Sequence, residues 1–114
     1  MAVTVEGTPT TSSAVAAVSS VTFSHTTGAT ATGLFVGGGS QDELTTSVTF
    51  NGDALAELWD VAGTVAFAAG YLMVSPDIGT FNVVYTWAAA VDIGVAGAVG
   101  LAGLETSSVG AAHR

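Results

Sequence analysis

Cysteine is absent from this 114-residue chain, and Arg114 is its only basic residue against nine carboxylates. Without thiols there is neither a disulfide framework nor a thiolate metal site, so the fold rests on packing and backbone hydrogen bonds, and the redox compartment stays open. Without clustered Lys or Arg there is no phosphate cradle, no guanidinium clamp and no groove for nucleic acid, whose affinity depends on neutralising phosphates. A formal net charge of −8 repels nucleic acid and anionic membrane alike and leaves neutral, cationic or apolar partners. Charge of any sign is scarce: 9% of residues, against ~25% in ordinary soluble domains. With 49% hydrophobic residues, disorder is excluded.

Long hydrophobic runs are missing too. The weakly polar stretch from Ala88 to Leu104 is mostly Ala and Gly and contains Asp92, so it falls short of the ~20 strongly apolar residues that span a bilayer. The start, Met1 to Glu6, lacks the basic head and apolar core of a secretory signal, and synthesis in a cytoplasm is expected. One domain is expected at this length, burying roughly 65% of its unfolded surface.

What the chain does have is alternation. Val15, Ala17, Ser19, Val21 and Phe23 share one face of a period-two segment, which predicts a strand over Val15 to Phe23. Further strands are predicted over Leu34 to Val36, Val48 to Phe50, Leu55 to Trp59, Val65 to Val74, Phe81 to Trp87 and Val95 to Leu101. Thr8 to Ser13 reads as a polar arm or connector, and Gly37-Gly38-Gly39 as a flexible turn. Asn51-Gly52 between alternating runs predicts a hairpin with positive φ at both residues. On the last strand, Val95, Gly97, Val99 and Leu101 form one face, and Gly94, Ala96, Ala98, Gly100 and Ala102 a second that is nearly free of side chains. Such a smooth face admits close approach, which makes those five residues candidates for a subunit contact. About seven short strands with turns between them predict an all-β, antiparallel sandwich, jelly-roll-like, in a single domain. Its limits are an N-terminal arm over residues 1–13, the sandwich over 14–106 and a tail over 107–114.

Several segments in order carry a resemblance: Val21 to Thr26, Gly33 to Gly38, Ser47 to Leu55, Tyr71 to Pro76, Gly79 to Val84, and Val95 to Val99 with Gly103-Leu104. Together they resemble a jelly-roll or lectin-like β-sandwich module of tailed-bacteriophage virion proteins, of the capsid decoration or cement type. The likeness covers roughly residues 18 to 110 and rests on strand and turn signatures, which specify fold better than function. Longer members of that kind continue through a second set of strands. This chain stops after Thr106 to Arg114, so it is expected to be a minimal version or to be completed by another subunit at an unpaired edge.

Catalytic chemistry is thinly represented. His25 is a candidate proton-transfer group or metal ligand, but its only companion is His113, and a site with Asp42 or Asp92 would need ligands from scattered loops with no spacing motif. A strand-end or capping role is the simpler expectation for it. Asp42, Glu43, Asp53, Glu57 and Asp60 make no calcium loop and read as solvated surface. No G-x-S-x-G elbow occurs, so no catalytic residue, cofactor or metal is expected, and the chain reads as no enzyme. Trp59, Tyr71, Tyr85 and Trp87 are candidate glycan contacts, because aromatic faces beside carboxylates grip neutral sugars.

The resemblance implies a structural virion protein on the capsid surface, made in the host cytoplasm. Its partners would be other copies of itself, a trimer favoured, and the major capsid protein, with no nucleic acid and no membrane. The alternatives are a carbohydrate-binding adhesin module of a tail, fibre or cell surface, and a subunit of an extracellular filament or surface layer.

Overall fold

Asn51 and Gly52 adopt φ of 53° and 82°, the left-handed pair that a two-residue turn requires if its flanking strands are to keep their twist. That turn is the centre of the molecule's connectivity. The computed structural model describes residues 3–63 and 66–103, and among them lie nine strands and no helix: β1 (Thr4–Thr11), β2 (Ser20–Thr27), β3 (Gly33–Ser40), β4 (Thr45–Phe50), β5 (Asp53–Ala54), β6 (Ala56–Ala62), β7 (Phe67–Val74), β8 (Gly79–Trp87) and β9 (Gly94–Ala102). They form two antiparallel sheets, ordered β1-β9-β3-β7-β6 and β2-β8-β4-β5. Around the turn the pairs nest: β4 with β5, β3 with β7, β2 with β8 and β1 with β9. A long hairpin wound over itself in this way is a jelly roll, with β6 added at one edge.

The core lies between the sheets and follows the pleat. Strand β8 turns Val83, Tyr85 and Trp87 inward, β4 contributes Val48 and Phe50, and the five-stranded sheet answers with Leu34, Val36, Ala69, Tyr71, Ala96 and Ala98. The rings of Tyr85 and Trp87 pack with centroids 5.1 Å apart, tilted by 55°, and the Tyr85 hydroxyl meets Thr45 Oγ1 at 2.7 Å. Burial pushes that phenol's pKa up to about 12.

Several expected boundaries move. Thr4–Thr11 is no arm but an edge strand paired with β9. The predicted strand over Val15 to Phe23 breaks: Val15 makes one isolated bridge to Gly94, Ala17 takes φ 61°, and the regular strand starts at Ser20. Here backbone bonds to the 88–93 loop, such as Ala17 N–H to Val91 O at 2.7 Å, outweigh the alternating pattern. The segment from Leu55 to Trp59 divides at Leu55, where the chain leaves one sheet for the other.

Gly37-Gly38-Gly39 is no turn either; it is the middle of β3, flanked by strands on both sides. A Cβ on Gly38 would stand 2.7 Å from Val95 O and 2.8 Å from the Tyr85 ring. Glycine is there to admit an aromatic ring, a use of the residue that turn statistics do not distinguish. Leu104 to Arg114, with Val65, lie outside the described residues, and so does the expected tail.

Candidate functional site

The register of the five-stranded sheet determines what its outer face carries. Leu34 and Val36 are fully buried, so Phe35 and its cross-strand partners Val99 and Leu72 point outward. Two residues along, Gly97, Gly37, Gly70 and Trp59 fall in one row. Val95, Gly39, Ala68 and Val61 form the next row, and Val5, Leu101, Gly33 and Val74 the one at the other end. No carboxylate falls in any of these rows. Trp59, Val61, Val95, Val5 and Val74 are all exposed, Phe35, Val99 and Leu101 half-buried and Leu72 buried, so among the described residues this face is apolar except for Thr11 opposite Gly97 at the β1 edge.

The glycine row gives the face relief. The indole of Trp59 lies over Gly70, where a Cβ would come within 2.7 Å of the ring, and Phe35 leans over Gly37, at 3.1 Å from the same hypothetical atom. At the far end of the row, Gly97 floors an apolar dimple of about 260 Å³ lined by Pro9, Thr11, Phe35 and Val99. A wider apolar concavity of about 650 Å³ opens at the end of the sheet beside Val95, Ile93 and Phe67. Both edges of the sheet are blunted against strand addition: β1 carries Pro9 and a bulge, and β6 a bulge with Glu57 and Asp60.

The outer face of the four-stranded sheet differs. Ser20, Thr22, Ser24 and Thr26 on β2 lie beside Thr86, Val84, Asn82 and Thr80 on β8, and Ser47 and Thr49 extend the array. It is hydroxyl-bearing and also uncharged, and Thr26 and Thr80 hydrogen bond across the strands at 2.6 Å. The described carboxylates sit in loops, on β5 and β6, or, for Glu6, turned toward Gly28, whose N–H it accepts at 3.1 Å.

The residues singled out from sequence are mostly elsewhere. The smooth face of β9 points into the protein's own core: Gly94, Ala96, Ala98 and Gly100 are buried and Ala102 is partly so. A Cβ on Gly94 would stand 2.6 Å from the Trp87 ring. That face is therefore no subunit contact; it is small because the opposite sheet fills the space with Tyr85 and Trp87. The four aromatics proposed as a glycan platform separate likewise. Tyr71, Tyr85 and Trp87 are 4%, 0% and 2% exposed and belong to the core, and only Trp59, at 46%, reaches solvent.

His25 is neither capping nor at a strand end. It points inward from β2, 1% exposed, with Nδ1 at 2.7 Å from Thr10 Oγ1 and its ring edge-on to Phe50. That bond ties β1 to β2 across the two sheets, while Nε2 is without a hydrogen-bond partner. Burial lowers the imidazole pKa, with Glu6 acting weakly the other way. Among the described residues no three His, Asp or Glu side chains come together in a metal-binding group, and His113 lies outside them.

The outer rows were the feature sequence reasoning missed, although the signal was present. The period-two spacing puts Val95, Gly97, Val99 and Leu101 on one face, and that face is the one turned away from the core. No protein-family model matches the chain, and no curated protein sequence is significantly similar to it.

Proposed function

We propose that the protein is structural, a capsid-surface component of a tailed-phage virion whose product is a contact rather than a reaction. The observation that carries this reading is the largely apolar outer face of the five-stranded sheet, whose described rows carry no carboxylate. A contiguous exposed patch of that extent marks an interaction surface in a soluble protein. The jelly roll supplies rigidity and recurs in viral capsid and lectin domains alike, so the fold by itself does not choose between them. The surface chemistry favours the capsid reading over the adhesin one, because three of the four aromatics a sugar platform would need are in the core.

The test is copy number. Purified virions of the source phage should contain the protein at high stoichiometry, and added protein should bind capsids stripped of it. Absence from particles, combined with binding on a glycan array, would move the protein to the adhesin class.

A further inference from the structure

We infer that the outer face of the five-stranded sheet seats the same face of a second copy about a two-fold axis, with Trp59 of each copy in the Gly97 dimple of the other. The inference rests on the reading of this face as a contact surface and does not depend on the virion.

Area comes first. Strands spaced about 4.8 Å and outward rows spaced about 6.8 Å give a five-strand, four-row face of roughly 24 by 27 Å, or about 650 Å² per copy. Two such faces together bury about 1,300 Å², within the range of specific, stable interfaces. Charge comes second. A copy brings a net −8 with it, so association needs a face on which no carboxylate is desolvated or brought against its own image. This face meets that condition, whereas the edge strand with Glu57 and Asp60 does not.

Shape chooses the axis. Trp59 stands at the β6 end of the glycine row and the dimple over Gly97 at the β9 and β1 end. A two-fold axis along the strand direction at β3, the middle strand, carries β6 of one copy over β1 and β9 of the other and keeps the row in register with itself. Each indole, lying over its own Gly70, then presents its exposed face to an apolar recess floored by Gly97, twice, as an isologous contact requires. Sheets stacked this way run nearly aligned, which is the ordinary packing of two twisted sheets. A Trp buried in a well-packed apolar pocket is a usual form of binding hot spot. This pairing yields dimers, in place of the trimer suggested by the resemblance.

The experiment is sedimentation equilibrium on the purified chain without capsids, over a dilution series, with tryptophan emission recorded in parallel. Wild type should be a dimer that dissociates on dilution, and emission should shift to the red as Trp59 returns to water while Trp87 stays buried. Trp59→Ser should weaken the dimer by about tenfold or more. Val95→Glu, an exposed position on the same face, should abolish it with the melting temperature of the monomer retained. Thr22→Glu on the hydroxyl face should leave it intact. A wild type that sediments as a monomer throughout, a closed trimer, or a dimer indifferent to both Trp59→Ser and Val95→Glu would each overturn the inference. A monomeric chain that still binds capsids would overturn it while leaving the proposed function standing.

Discussion

The two outer faces of this sandwich are both uncharged, yet one is built of valines, leucine, phenylalanine and tryptophan and the other of serines and threonines. Water can satisfy the second at no cost, whereas the first leaves apolar area in water at about 25 cal/mol per Å². The contrast teaches that near-identical alternation can encode opposite tasks. On β2 and β8 the small polar residues end the molecule, and on β3, β7 and β9 the outward residues invite another surface. The inner side of β9 supplies the complement: there smallness signals a crowded neighbour, since Gly94, Ala96 and Ala98 lie against the large rings of the opposite sheet.

The strongest way to break this comparison is to add volume on each side of the same strand. Ala98→Leu, inward, should cost about 3 kcal/mol through overpacking, read as a lowered urea midpoint. Val99→Leu, outward, should stay within about 0.5 kcal/mol. Equal effects would mean that the two faces of β9 have been assigned the wrong way round. Next in size is Gly52→Val, which forces a β-branched residue to φ 82° and should cost more than ~1 kcal/mol. A melting curve unchanged by it would remove the turn as the centre of the nested pairs.

The third test concerns pH. Burial lowers the pKa of His25, while in the unfolded chain an imidazole takes up its proton at about pH 6.5. The unfolded state therefore binds more protons on acidification, so this contribution to stability is in place above about pH 6.5 and is lost as the pH falls through it. Wild type should lose melting temperature between neutral pH and pH 5 more steeply than His25→Gln, and parallel profiles would contradict the assignment. The smallest effect is that of salt. Among the described residues the buried His25 is the one side chain that could carry positive charge, so carboxylate repulsion is the dominant surface electrostatics, and added salt should raise the melting temperature slightly. A drop in salt would reveal an attractive ion pair.

The legible part of the fold was the part controlled by local chemistry. The Asn51-Gly52 turn, the inward run Phe81, Val83, Tyr85 and Trp87, and the two-sheet class could all be read from residue types, because φ preference and period-two burial act within a few residues. Strand β1 was not legible, since its apolar content is low and its existence depends on pairing with β9, some ninety residues away. The glycines of β3 failed for a related reason: whether Gly38 is a hinge or a berth for Tyr85 depends on a ring brought there by another strand. The candidate site failed on sign. Two faces of β9 were recognised, and the wrong one was expected to meet a neighbour, because the residue facing each was set by the opposite sheet.

The nested pairing also schedules the molecule's making. The innermost pair, β4 with β5, closes as soon as both are synthesised; β3 can pair with β7 next, but β1 must await β9. From Thr11 to Gly94 a ribosome needs roughly 4 to 17 s at ordinary elongation rates. Throughout that interval the N-terminal strand is unmated, and Pro9, which has no N–H to donate, is the residue in it that disfavours pairing with the wrong chain.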